Sequence, residues 1–430
     1  MDCTNSNAPV VKVEGDIDPA LQERYVSLLA RGLGDSLPPK STVCFHKMVG
    51  FSNEVYKVVV KSAVSRIATK EETLTSSEPQ ESMFILKKKP KESPHHQFLK
   101  GFLKIKQFLV KHKFGPAVLY EDADILIEDF IPSETCTAEE FRDPAILLPS
   151  VFQLAQFSRN FMQNLSDYGT PDEYSTLLDR IIEEGAIEKC LEILRALRAR
   201  NPDYFPIPDS YVEKIQAFFN FEFELRHLCK DIGSLKHTMC IVCHNDFYWL
   251  NVLRRTDLKG FMLIDYEYAG WNPIGWDLAN YYLERNFVYE EATNQMVFKS
   301  NMPTNHDIAS TVHFYLLALR GKIDSSQATD SSILTQIASG KFARAMDLEF
   351  LEQYARPSYF FRLMLAINSM WIIFLTLHLK EDPGWPVHDY LLMRIDTQSE
   401  IRKLLRSNTC DTENTLGLYE CSLDNCELLV

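Results

Sequence analysis

Asp246, Asn251, Asp265 and Glu267 fall within one stretch, His244 to Asp277, that reads HNDFYWLNVLRRTDLKGFMLIDYEYAGWNPIGWD. Asn251 follows Asp246 closely, and Asp265 and Glu267 come after a short basic loop and the apolar run Phe261 to Ile264. This is the order that phosphoryl transfer needs. One carboxylate must orient an acceptor hydroxyl and take its proton, while an amide and further carboxylates hold Mg²⁺ against nucleotide phosphates. Asp246 is therefore the candidate base, and Asn251 and Asp265 are the candidate metal ligands. Asp and Asn are also common turn residues. What separates the two readings is context, since the loop is bounded by the apolar runs Met239 to Val242 and Phe261 to Ile264 and reads as a β-hairpin presenting polar groups at its strand ends. His244 reads as a brace for the loop through hydrogen bonds.

Other elements must bring phosphates to these groups. Asp18 to Leu33 has helical periodicity, with Leu21, Tyr25, Leu28 and Leu29 on one side. Thr42 to His46 and Val55 to Val60 read as strands, and the turn between them contains Gly50, Ser52 and Asn53, whose backbone amides can lie over phosphates. Ser62 to Ser82 is polar and reads as a solvated loop. Met83 to Leu86 is then a strand ending in Lys87, Lys88 and Lys89. A basic residue at such a strand end can grip phosphates, and Lys87 is the candidate. A helix spans His96 to His112, a strand runs from Ile125 toward Pro132, and further helices cover Ala145 to Asn164 and Tyr211 to Cys229.

Composition narrows the class. The 430 residues are 46% hydrophobic and 12% aromatic, enough for a large core in two lobes. A net charge of −14 argues against a nucleic-acid partner. Cys240 and Cys243 form a C-x-x-C inside an apolar strand without a second pair for zinc, so they read as packed free thiols. Met1 to Asp16 has no basic region followed by an apolar core, and Leu363 to Leu377 is interrupted by Asn368 and Ser369 and reads as a buried helix. The expectation is a soluble, cytoplasmic protein without stable membrane insertion. The tail from Arg406 to Val430 is polar, with little periodicity.

The stretch resembles the choline/ethanolamine kinase family in His244-Asn245-Asp246, Asn251, Ile264-Asp265-Tyr266-Glu267-Tyr268 and Gly275-Trp276-Asp277. The resemblance implies an α+β, two-lobed protein-kinase-like fold. A small β-rich N-terminal lobe would span 1–131, and a large, mainly helical lobe with the catalytic loop and acceptor site would span 132–430. It implies ATP and Mg²⁺ as cofactors, Glu267 near the metal, and adenine contacts through the main chain of Glu128, Asp129, Phe130 and Ile131. The family's Gly-Gly-x-Ser-Asn turn is kept here as Gly50, Ser52 and Asn53, with Val49 at the first Gly.

Choline offers no N–H, so its ammonium needs aromatic faces and a negative charge. At the family's positions for such a cage stand Glu284, Tyr289, Trp371, Phe374 and Tyr390, with Phe374 where the family commonly has Trp. The implied substrate is choline, with ethanolamine as the alternative, and the implied assembly is a homodimer. One departure stands out: the family's helix glutamate, which pairs with the phosphate-binding basic residue, has no counterpart, since Gln97 to Lys113 contains no carboxylate and Phe102 aligns there. The lysine must then find another acid, such as Asp265, or the chain is a catalytically impaired pseudokinase.

Overall fold

Alternate residues along successive runs are apolar, and this alternation builds the first sheet. In a strand such residues share one face. Val43 and Phe45, Val58 and Val60, Phe84 and Leu86, and Ile125 and Ile127 all turn into one core with Tyr25, Leu28 and Leu29. The computed structural model describes residues 12–15, 19–34, 37, 41–48, 54–62, 80–89, 102–169, 186–199, 213, 240–258, 260–290, 295–299, 301–330, 354, 356–377 and 387–409.

In chain order the first elements are β1 (Lys12–Gly15), α1 (Pro19–Gly32), β2 (Thr42–Met48), β3 (Glu54–Ser62), β4 (Gln80–Lys88), α2 (Phe102–His112), β5 (Val118–Glu121) and β6 (Ile125–Asp129). The strands form one sheet in the order β1-β2-β3-β4-β6-β5, antiparallel except for the β1–β2 pair. Tyr25 of α1 sets its ring 6.4 Å from that of Phe45 and 6.5 Å from that of Tyr56. The strands flanking the expected polar loop run further than their apolar cores, to Ser62 and from Gln80. Residues 63–79, the turn with Gly50, Ser52 and Asn53, and the expected helix from Tyr211 to Cys229 apart from residue 213 lie outside the described residues.

The remaining elements are β7 (Ser133–Thr135), α3 (Pro144–Gln163), α4 (Leu165–Tyr168), α5 (Ala186–Arg198), β8 (Cys240–Cys243), β9 (Val252–Arg255), β10 (Phe261–Leu263), β11 (Gly270–Pro273), α6 (Trp276–Glu284), β12 (Phe287–Glu290), β13 (Gln295–Phe298), α7 (Asn305–Leu319), α8 (Pro357–Leu377) and α9 (Val387–Thr409). Local chemistry sets several starts. Pro144 opens α3 behind Asp143, whose carboxylate accepts the Ala145 N–H at 2.9 Å. A capping box of Thr304 and Asp307 opens α7. Among the described residues α8 is the one helix long and apolar enough to cross a bilayer, and 72% of its apolar window is buried inside the protein. It packs against α9, α6 and α5. Helix α9 continues to Thr409, so the start of the expected irregular tail is helical, with the Asn408 amide donating to the Leu404 carbonyl.

The chain divides into two compact units, Met1–Gln97 with Val110–Pro132, and Phe98–Leu109 with Ser133–Val430. The expected boundary after Ile131 did not anticipate that most of α2 belongs with the second unit. Apolar burial explains it. Ile105 and Phe108 are fully buried, and the Phe108 ring lies 5.0 Å from Phe161, 5.4 Å from Tyr168 and 6.2 Å from Phe157. Phe108→Ala should therefore cost about 3–5 kcal/mol by deleting a fully buried ring. Urea unfolding of the variant checks this, and a loss under about 1 kcal/mol would show that the ring does not anchor α2.

Candidate active site

The loop that leaves β8 is held from behind by one carboxylate. Asp277, in the first turn of α6, accepts the His244 N–H at 2.9 Å through Oδ2 and the Asn245 N–H at 2.6 Å through Oδ1. Gly275 caps that helix with φ +86°, a left-handed conformation that costs glycine little. Asp277 is buried, and burial pushes its carboxyl up to about 7, while the two N–H groups and the Cys243 thiol pull the other way. Asn245 is itself left-handed (φ +69°); its amide donates to the Tyr268 carbonyl at 2.7 Å, and its Oδ1 accepts from Asn272 at 2.6 Å. Cys240 and Cys243 form no disulfide, as expected; Cys243 is buried and Cys240 half-buried.

The expected hairpin does not form. Strand β8 pairs with β11, and β10 pairs with β9. The half-polar run Val252–Arg255 turns back on Phe261–Leu263 directly, and so takes the partner that the apolar run at Cys240 was expected to have. The outcome for the loop is similar, because the Ile264 N–H donates to the Asn251 carbonyl at 3.0 Å and ties the two polar segments together.

His244 braces the loop with both ring nitrogens. Nε2 lies 2.8 Å from the Ile264 carbonyl, which can only accept, so the proton sits on Nε2 and Nδ1 accepts the Asp246 N–H at 3.3 Å. Burial, the larger influence, depresses the imidazole to about 4. It is neutral and structural.

Asp246 and Asn251 are bonded to each other. The Asn251 amide nitrogen donates to the Asp246 main-chain carbonyl and to its Oδ2, both at 2.8 Å. That commits the nitrogen and leaves Oδ1 as the atom Asn251 can offer a cation. Asp265 follows β10 in a left-handed conformation (φ +64°), a strained position for a non-glycine residue, and Glu267 lies in the single turn Tyr266–Tyr268. Burial first, and then the charges of Asp265, Glu284 and Glu267, hold the Asp246 carboxyl well above its ordinary range, against the Asn251 hydrogen bond. This all-oxygen set of carboxylates and an amide fits a hard divalent cation. Among the described residues no three His, Cys, Asp or Glu side chains form a closed metal cluster, so a cation here would take further oxygens from elsewhere.

The acceptor candidates also come together. Glu284 ends α6, Trp371 and Phe374 lie on α8 with their rings 5.4 Å apart, and Tyr390 on α9 has its ring 6.0 Å from Trp371. The Tyr390 hydroxyl donates to Glu284 Oε2 at 3.0 Å. Tyr289 is in β12, and its side chain lies outside the described residues. Three participants escaped the sequence reading. Phe287 stacks edge-on against Tyr390 at 5.3 Å. Tyr248 is half-buried, and its hydroxyl is pushed up by desolvation and by the charges of Asp246, Glu284 and Asp265. Arg394, four residues after Tyr390 and so on the same helical face, donates to Glu284 Oε1 at 2.6 Å. That spacing was the one signal that could have found it.

In the first unit, Lys87 pairs with Glu128 at 3.5 Å, both side chains being 14% exposed. The register places Lys87 opposite Leu126 and Glu128 opposite Ile85, so the two are diagonal neighbours on one face. An acid on β6 thus faces the lysine whose family partner on the helix is missing. The Asp129 N–H donates to the Ala117 carbonyl at 2.9 Å and the Phe130 N–H to the Met83 carbonyl at 3.2 Å. An adenine contact along this stretch would therefore fall on its other main-chain groups. Phe130 also packs under Lys57, whose Nζ is 4.3 Å from the ring centre.

The brace has a pH signature. His244 titrates near 4 in the folded protein against 6.5 when solvated, so the unfolded chain binds the proton more tightly and stability is lost as pH falls from 6.5 toward 4. His244→Gln removes that titration. Between pH 7 and 5 the stability gap between wild type and variant should narrow by roughly 2 kcal/mol in urea unfolding. A gap that stays constant would contradict a buried, neutral imidazole.

Comparison with known proteins bears on the whole arrangement. The sequence pattern of the choline/ethanolamine kinase family matches residues 48–348. Probable choline kinase 2 of Arabidopsis thaliana is 26% identical over 197 residues, which is 46% of this chain and 49% of that protein. Probable choline kinase 3 of the same plant is 24% identical over 62% of this chain and 65% of its own length, and the Homo sapiens choline/ethanolamine kinase is 22% identical over 59% and 58%. The matches thus span about half to just under two thirds of these relatives. Among solved structures, a choline kinase from Cryptosporidium parvum superposes with a TM-score of 0.54 at 15% identity, covering 88% of this chain and 92% of that one. A Plasmodium vivax ethanolamine kinase gives 0.51 at 13% identity, covering 84% of each. These likenesses show the two-lobed, protein-kinase-like α+β fold, and with the family match over most of its length the chain belongs to the choline/ethanolamine kinase family.

Proposed function

We propose that the chain transfers the γ-phosphoryl group of ATP to the hydroxyl of choline, giving phosphocholine and ADP. The observation that carries this reading is the half-buried Asp246–Asn251 pair, set within reach of the charges of Asp265 and Glu284, with Glu284 among aromatic rings. The choline hydroxyl proton passes to Asp246, the new O–P bond forms, and the bond from the γ-phosphorus to the bridging oxygen breaks, leaving its electron pair on ADP. Burial and neighbouring carboxylates raise the proton affinity of Asp246, the direction a base requires. Asn251 fixes the Asp246 carboxylate through Oδ2, and His244 fixes its main chain. Asn251 Oδ1 and Asp265, with Glu267 beside them, would hold Mg²⁺. When bound, that ion supplies positive charge against the phosphate oxygens and against the same carboxylates.

Lys87 is the proposed phosphate contact in the first unit, and its pairing with Glu128 favours an active enzyme over a pseudokinase. The turn at Gly50, Ser52 and Asn53 keeps its proposed role over the phosphates. Ethanolamine is the second reading. It is favoured by the small exposed part of Glu284, 11% of its side chain, to which a primary ammonium can donate a hydrogen bond.

Asp246→Ala should lower kcat for choline by about 10²–10⁴-fold, the range for loss of a positioned base, while leaving the KM for ATP within about threefold. Coupled measurement of ADP release checks this. Near-normal kcat in the variant would remove Asp246 from the chemistry.

A further inference from the structure

The acceptor cluster contains a cation of the protein's own. Arg394 has no exposed surface. Its Nη2 donates to Glu284 Oε1 at 2.6 Å and also bonds to the Tyr390 hydroxyl, which donates in turn to Glu284 Oε2 at 3.0 Å. Among the described residues, Nε and Nη1 have no hydrogen-bond partner. Ring faces take their place, with the guanidinium carbon 4.0 Å from the centre of Phe287, 4.6 Å from Tyr390 and 5.1 Å from Trp371. Both Glu284 oxygens are thus engaged, yet Glu284 keeps 11% of its side chain exposed whereas Arg394 keeps none. The guanidinium is the inner layer of the cluster and the carboxylate the outer one.

Glu284 is badly placed for a negative charge without that inner layer. It is the last residue of α6, where the helix dipole presents its negative end. It is buried, and it acts electrostatically on both Asp246 and Tyr248. A carboxylate in such a position needs a counter-charge to stay in place.

We propose that Arg394 is a positioning residue for acceptor binding, clamping Glu284 against Tyr390 so that the outer edge of the carboxylate meets the ammonium of a cationic alcohol. The inference rests on the acceptor reading given above. Arg394 does not touch the acceptor; it acts through Glu284. Its effect is therefore confined to acceptors that carry a positive charge.

The test is steady-state kinetics of wild type, Arg394→Gln, Arg394→Lys, Glu284→Gln and the Arg394→Gln/Glu284→Gln double variant. Two acceptors are used, choline and its uncharged isostere in which carbon replaces the nitrogen. Arg394→Gln is expected to raise the KM for choline at least about tenfold with kcat within about threefold, and to leave the KM for the isostere within about twofold. Glu284→Gln should do the same, the double variant should be no worse than either single one, and Arg394→Lys should recover most of the loss. A KM for choline that falls in Arg394→Gln would overturn the proposal, because the arginine would then be competing with the acceptor for the rings. Equal losses on both alcohols, or effects that multiply in the double variant, would reduce Arg394 to packing. Should Arg394→Gln not fold, Glu284→Gln and Arg394→Lys decide alone. Discrimination between the two alcohols must be lost in the first and kept in the second. A wild-type protein that turns over neither alcohol sinks the acceptor reading itself, whereas turnover of both with no change on substitution sinks only this inference.

Discussion

Two consecutive main-chain N–H groups, those of His244 and Asn245, point at one buried carboxylate, Asp277, and the site depends on this contact. Peptide donors buried at a strand end would cost a few kcal/mol if left unmade. Meeting them with a carboxylate on the next helix fixes where the loop turns. The loop then continues into Asp246, and His244 spends both ring nitrogens on the loop itself. Strain concentrates at the same place. Of the three non-glycine residues with positive φ among the described residues, Asn245 and Asp265 belong to this site.

Helix α6 extends that contact to the acceptor. All nine of its residues are buried, with Asp277 in the first turn and Glu284 at the end, about 10 Å apart along the axis. Movement at one end of such a helix is felt at the other, because its residues are packed along its whole length. The helix therefore sets the spacing between the loop that carries Asp246 and the Glu284 carboxylate. Charge follows the same line. Negative groups gather at Asp246, Asp265, Glu267 and Glu284, and Arg394 answers them from within the protein at the acceptor end.

Much of this was legible in the residues. Asp246, Asn251, Asp265 and Glu267 stood out because polar groups in a fixed order interrupt apolar runs, and in the structure Asn251 bonds Asp246 while the charges of Asp265 and Glu267 act on it. Glu284, Trp371, Phe374 and Tyr390 were legible only through resemblance, since aromatic residues at helical spacing read equally well as core. Strand pairing was not legible: the stretch between Asn251 and Phe261 was read as a short basic loop, yet Val252–Arg255 takes the place expected for Cys240–Cys243 as the partner of Phe261–Leu263. Glu128 was read for its main chain, but sheet register alone brings its side chain to Lys87. Arg394 was missed because a charged residue on a long helix normally marks the solvated face, and here three rings and a carboxylate bury it.

The reaction we propose is transfer of a phosphoryl group from ATP to a small cationic alcohol. Phosphorus NMR of the purified chain with ATP, Mg²⁺ and either choline or ethanolamine tests it directly, because the product phosphomonoester and ADP give separate signals. The account predicts equal growth of ADP and a phosphomonoester, faster with choline. ATP that binds but yields no phosphomonoester with either alcohol would contradict it.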